Sequence, residues 1–408
     1  MPPTPRVRPG AAICAAAVAI GLTIAAPRAT GQSQNVWKAN SVSSLVWSDQ
    51  NNWTAQVIAN GQLAVFSSSS ARFYSSTNDV TSLAIAGMVV NGINTAANPI
   101  TIGGNAFSVG ANGIDLSAAT TDLIVNTAGL TAAGGQSWTL AASRTIAVNT
   151  LLSGSGMPAW TVAGAGTVKI NAGGSGMGNV SVTGGTLQFG APNGTFGSGS
   201  IAASGTSTLA GIGSLLPNLG STAANLVKLG TGTTLSPGVG GIGTLTVGST
   251  AVHATAELDS GSIFAVDLGT AVPRPNTGIA DVNTNDRLVV YGIVDFTTGS
   301  GNETIAVNGA GLTFTPFKAY DFFLASGSDG LANFNASHFT IAPANFALPG
   351  SFAVQSFNNN LVLTYSPVPE ASHVFVACAA VTGLAWWVRF WRRRWIVGRV
   401  PVESEILS

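Results

Sequence analysis

The chain has two cysteines in 408 residues, Cys14 and Cys378. Both lie inside apolar segments near the two ends, so the long stretch between them carries no thiol. That excludes an internal disulfide, a cysteine nucleophile and a thiolate metal site from the body. Its rigidity has to come from packing and backbone hydrogen bonds. Charge is equally scarce: Asp, Glu, Lys and Arg make up 8% of the chain, against about a quarter in ordinary soluble domains. No carboxylate stands between Asp122 and Glu257. There is no basic stripe to neutralise phosphates, which excludes nucleic acid as a partner. Low charge combined with a mean hydropathy of +0.38 is the opposite of the balance that keeps chains disordered.

Helical periodicity is missing as well. Short β-favouring runs take its place, cut by turns rich in the 51 glycines: GTVKI (166–170), NVSVTGGTLQFG (179–190), GSIAASGTSTLAG (199–211) and GTLTVGS (243–249). Val, Leu or Ile alternates with Thr or Ser, the period-two pattern of a strand with one buried face. Gly, Asn and Ser at the breaks permit the positive φ angles of tight corners. Recurrence roughly every 20 residues is the spacing of a stacked solenoid, with about sixteen coils over residues 36–366. Stacking also accounts for the missing carboxylates, because like charges about 4.8 Å apart along a ladder repel. Composition shifts near residue 255, after which most of the body's phenylalanines and acidic residues fall. Residues 32–255 are therefore expected to form the repeat region with an N-terminal cap containing Trp37, Trp47 and Trp53. Residues 256–366 are expected to form a C-terminal β region that closes the stack, whose open end would otherwise invite aggregation.

The two ends read as targeting segments. Arg6 and Arg8 precede an apolar stretch, Ala11–Ala26, and Ala29 and Gly31 offer small residues for cleavage, so residues 1–31 are expected to be a signal peptide. An uncleaved anchor is the alternative. The other end is SPVPEASHVFVACAAVTGLAWWVRFWRRRW (366–395). Its apolar part, extended to Trp391, gives about 27 Å of helix, enough to span if Arg389 snorkels. Trp386, Trp387 and Trp391 suit an interface belt, and Arg392, Arg393 and Arg394 hold the C-terminal side in the cytoplasm. Residues 396–408 then form a cytoplasmic tail.

Two resemblances follow from these residues. GAGTVKI, GNVSVTGGTLQFG and TTLSPGVGGIGTLTVGS resemble autotransporter-associated β-strand repeats of exported bacterial proteins. The N-terminal QNNW pattern and NDRLVVYGIVDF are similar to segments flanking those repeats. This implies an all-β, right-handed parallel β-helix with β caps; the pattern by itself also admits a β-sandwich or β-prism. The order motif, short helix, arginine cluster resembles the PEP-CTERM sorting signal. Val368, Pro369 and Glu370 match its motif, Ala371 departs from a second proline, and the tail WIVGRVPVESEILS runs longer than usual. The resemblance implies an exosortase as processing partner, a transient hold in the inner membrane, and a final place at the cell surface or in the extracellular matrix. A plain C-terminal anchor is the other reading.

Catalysis on such a body would need paired carboxylates or a carboxylate-held cation. The candidates are Asp281, Asp286 and Asp295 with Arg274 and Arg287, set against a reading as loop charges at strand entrances. DVNTND (281–286) begins like a calcium loop but has Asp286 where a glycine belongs and Gly292 where a glutamate belongs. It is expected to be a turn. A serine triad through His338 and Asp321 has no nucleophile-elbow pattern to support it. The glycine runs follow no strand-to-helix pattern and read as turns rather than nucleotide loops. Trp37, Trp47 and Trp53 suit either a sugar-stacking platform or burial in the cap. The expected function is that of an exported, non-catalytic structural or adhesive protein without cofactor or metal. A glycan-binding module taking surface polysaccharide is the alternative, and a polysaccharide lyase or hydrolase the third reading.

Overall fold

The computed structural model describes residues 32–41, 44–67, 74–91, 98–217, 226–238, 240–297, 302–368 and 382–389, all within the unit Gln32–Ser408. Among these residues the body is almost entirely β, with 35 strands and two three-residue 3-10 turns. The strands form three long sheets, two of 12 strands and one of 11. Within each sheet, neighbours are every third strand of the sequence through the repeat region. Thus Gly87–Asn91 lies in the first sheet, Ile100–Gly104 in the second and Phe107–Val109 in the third, and Ile114–Ala118 returns to the first. Nearly all pairings are parallel, which is the winding of a β-helix-type solenoid.

The alternation read from the sequence is the alternation of the coil. In Thr167–Ile170, Val168 and Ile170 point inward while Thr167 and Lys169 face out; Ala254–Asp259 repeats the pattern over six residues. Inward side chains merge into one continuous core running from Trp37 to Tyr365. Corners come so close that some positions need glycine: Gly164, at φ 87°, sits where a Cβ would overlap the Leu140 carbonyl of the previous coil.

The first sheet stacks twelve strands and the second eleven, against the expected sixteen or so coils, because coil length varies. Stacked residues are 22 positions apart at Asn149 and Asn171, 29 at Lys228 and Glu257, and 41 at Asp267 and Asn308. Eleven spacings of about 4.8 Å put roughly 53 Å between the outer strands of the first sheet. The ladder runs across residue 255 without a break, since Ala254–Asp259 pairs in parallel with Leu226–Leu229 before it and Gly292–Thr297 after it.

Each end is closed differently. At the start, Trp37, Trp47 and Trp53 pack edge to face, with centroids 5.0 and 5.7 Å apart, and are essentially inaccessible. Asn52 of QNNW is buried among them. Its amide oxygen accepts from Ser41 N (3.0 Å) and its nitrogen donates to the carbonyls of Ser44 and Val46 (both 3.1 Å). Trp47 N and Thr77 N join the cap to the first strand of the second sheet. At the far end, Tyr320–Gly327 pairs antiparallel with Asn360–Pro367, which pairs antiparallel with Gly350–Phe357. This hairpin packs Phe346 and Phe352 against Tyr365.

Residues 1–31, Pro369, Glu370 and Arg392–Arg394 lie outside the described residues, and so does most of the expected membrane segment. Its described part, residues 382–389, is helical, with Leu384, Trp386, Trp387 and Val388 exposed. No helix among the described residues is long and apolar enough to cross a membrane.

Candidate functional site

The candidate catalytic residues are drawn to separate places. Asp281 forms a two-point ion pair with Arg287 (2.7 and 2.8 Å). Arg274 grips Asp321 through Nε (2.6 Å) and a second, shorter contact, and Thr364 Oγ1 donates to the same carboxylate at 2.8 Å. Asp321 is wholly buried, so the pair ties the excursion after Leu268 to the closing strands. Asp295 accepts from Asn333 Nδ2 at 2.7 Å on the outer face of the first sheet. Beside it in the ladder stands Glu257, which is neutralised by Lys228 on the coil before.

DVNTND is a strand-edge device. Asn283 Nδ2 donates to the carbonyls of Asp321 (2.9 Å) and Val272 (3.1 Å), and Asn285 Nδ2 donates to that of Phe323 (3.0 Å). Two amide side chains thus serve the free edge of Tyr320–Gly327 where its parallel neighbour has turned away. Asp286 spends both oxygens on backbone donors, Gly243 N at 2.9 Å and Asp267 N at 3.0 Å. Burial pushes its carboxyl up to about 6, with Asp267 adding to the rise and the two N–H donors opposing it. Among the described residues no group of three or more His, Cys, Asp or Glu side chains is placed to hold a metal ion.

His338 contacts Asn335 (3.2 Å), whereas Asp321 is occupied by Arg274 and Thr364, so the histidine–aspartate pairing drawn from sequence is not made. A different one is: His253 Nδ1 lies 2.8 Å from Asp329, whose carboxyl the imidazole holds below the usual range. Ser328 donates to the aspartate at 3.1 Å. A serine bonded to the aspartate of such a pair is not placed as a nucleophile activated by the histidine. The tryptophans follow the second of their two readings, burial in the cap. Their faces meet one another and Phe66 rather than solvent, so they form no sugar platform.

What the structure adds is a concavity on the outer face of the second sheet. It holds about 180 Å³ and crosses the strands Thr234–Pro237, Ile263–Asp267, Glu303–Asn308 and Phe339–Ala344. Ala265, Ala306 and Ala342 form its floor, with Ser236 at one end. Asp267 and Asn308 stand along one side: Asn308 Nδ2 donates to Asp267 Oδ1 and Asn345 Nδ2 donates to Asn308 Oδ1, both at 2.8 Å. Val368, the first residue of the expected sorting motif, donates its N–H to Pro349 O at 2.9 Å, directly after the last closing strand. The sequence reading missed the groove because its residues lie on four coils of unequal length. The recurring T-x-small pattern in TLSP, TIAV and TIAP was the available signal. No family model and no curated protein matches the chain.

Proposed function

We propose that the chain is an exported structural or adhesive protein of a bacterial surface or extracellular matrix, built on a right-handed parallel β-helix and released by an exosortase. The observation that carries the non-catalytic part is where the body's charged groups go. The Asp281, Asp321 and Asp286 carboxylates are each committed to an arginine or to backbone N–H groups, and the Asn126–Asn149–Asn171 ladder links successive coils at 2.8 and 2.7 Å. Side chains used in this way hold a stack together rather than standing free for general acid and base work. The export and sorting part rests on the sequence of the two ends: Ala29 and Gly31 after the apolar leader, Val368–Glu370 before the apolar segment, and Arg392–Arg394 behind it.

In this reading the apolar segment halts the protein in the inner membrane. Each arginine costs about 2.5–3.5 kcal/mol at the bilayer centre on insertion scales, so the cluster resists being drawn through. The motif is then held at the outer interface, beside the enzyme that cuts it. Producing the full chain in a host with an exosortase and sequencing the mature C-terminus by mass spectrometry tests this. A terminus near Pro369–Glu370 is expected, and Glu370→Ala should leave full-length protein in the membrane. Peptides from ESEILS (403–408) in the released form would reject processing and leave a plain anchor.

A further inference from the structure

The outer face of the second sheet carries a rank of threonines. Thr145, Thr167, Thr186, Thr208 and Thr234 are direct ladder partners on consecutive coils; Ile263 follows, then Thr304 and Thr340. All face outward and are at least partly exposed. Among the described residues the hydroxyls of Thr145 through Thr234 and of Thr304 have no protein partner. Unpaired hydroxyls thus recur at the coil spacing of about 4.8 Å. Two positions further along the strands runs a row of mostly small residues, ending in Ala210, Ser236, Ala265, Ala306 and Ala342. Two positions beyond that come Asp267 and Asn308.

Over the last four of these coils the three rows make a trough, and the 180 Å³ concavity lies in it. The concavity's own lining has the Ser236 hydroxyl and a floor of methyl groups; Thr234 and Thr304 flank that floor two positions back along their strands, with Ile263 between them. The opposite wall offers an amide and a carboxylate whose second oxygen, Asp267 Oδ2, has no protein partner. We infer that this trough binds a neutral, extended polysaccharide chain lying along the stacking axis. The chemistry matches on each side. The C–H faces of pyranose rings suit the alanine floor, and equatorial hydroxyls suit donor–acceptor groups on both walls. The coil repeat is close to the length of one residue in an extended β-1,4-linked chain. The outer faces of the other two sheets differ: the first carries Lys228, Glu257 and Asp295 in one column, and the third sets Gly197 beside Leu216.

The inference deepens the adhesive reading above and can fail separately from it, since C-terminal processing is read by mass spectrometry and not by binding. Titration calorimetry on the full chain in detergent uses cellohexaose as the extended neutral probe, dextran as a flexible neutral one and an alginate oligomer as an anionic one. Cellohexaose is expected to bind and the other two to bind at least about tenfold more weakly, the equivalent of one or two good hydrogen bonds. Ala306→Phe fills the floor and should abolish binding. Thr234→Val with Thr304→Val keeps shape, removes two hydroxyls, and should weaken binding about tenfold or more. Ser181→Val, on the outer face of the first sheet, should leave it unchanged. The inference is overturned if cellohexaose does not bind, if alginate binds as well as it does, or if the Thr234→Val, Thr304→Val protein keeps its unfolding temperature and its full affinity.

Discussion

Single residues in this body are worth most where they are buried and paired. Asp321 has no solvent access, and Arg274 is its only counter-charge among the described contacts. Arg274→Ala should therefore cost about 3–5 kcal/mol, the usual penalty for stranding a buried charge. Changing both residues, Arg274→Met with Asp321→Asn, should recover part of that loss. Denaturant midpoints of the two variants decide whether the pair or the charge matters. Asp286 gives a pH signature of known sign. Its carboxyl is raised to about 6 in the fold, from 3.8. Its contribution is thus fully present below about pH 4 and lost as pH rises through 6. Asp286→Asn removes the titration but also gives up one of the two acceptors. The variant should be the weaker protein at pH 4, and the gap to wild type should narrow towards pH 7. A gap that widens over the same range would mean the N–H groups of Gly243 and Asp267 outweigh burial.

At the scale of elements, the closing hairpin depends on its turn. Asn358 and Asn359 link Gly350–Phe357 to Asn360–Pro367 with φ of 48° and 60°. Two central residues at positive φ define a type I′ turn, which Asn-Gly favours most strongly. Asn359→Gly should raise the unfolding midpoint slightly. Asn359→Val should lower stability by about 1–2 kcal/mol, the left-handed penalty for a side chain branched at Cβ. Hydrogen exchange should place the change in 350–367 and leave the repeat coils unaffected. The strands themselves were legible in the sequence, because Val and Ile alternating with Thr is the physical condition for one face buried in a ladder. The stacked solenoid and the tryptophan cap followed from the same reading. The coil count did not, since a coil can swell at its corners without altering the ladder, as the excursion from Gly269 to Asp286 does. The pairing of Arg274 with Asp321 was equally hidden. It joins residues 47 positions apart through an irregular segment, and no periodicity announces such a contact. The trough lay between these cases: its threonine pattern was visible, but which threonines stand side by side depends on coil length.

The molecule as a whole behaves as a one-dimensional stack, in which each coil touches mainly the coils before and after it. That makes a strong statement about deletion. Thr145 and Thr167 are ladder partners, as are Trp138 and Val162 and, one coil on, Val162 and Val182. Removing residues 145–166 excises one full turn through all three sheets and joins Arg144 to Thr167. Leu123 then faces Val168, Trp138 faces Val182, and every inward side chain still points inward. Gly184, which now packs against Gly164, comes to lie over Leu140 at a corner that already requires glycine. The shortened chain should fold, with an unchanged β-type circular dichroism spectrum per residue and a lower unfolding temperature, since one interface between coils is lost. Removing only 145–155 takes out two of the three sides. It sets Arg144 against Gly156, so that the next strand, Trp160–Gly164, must follow the second sheet's Leu123–Thr127 register without the turn that led to it. That chain should lose cooperative unfolding and aggregate through its unpaired edges. If both deletions unfold alike, coil-by-coil stacking does not govern this body, and its stability has to reside in the two ends.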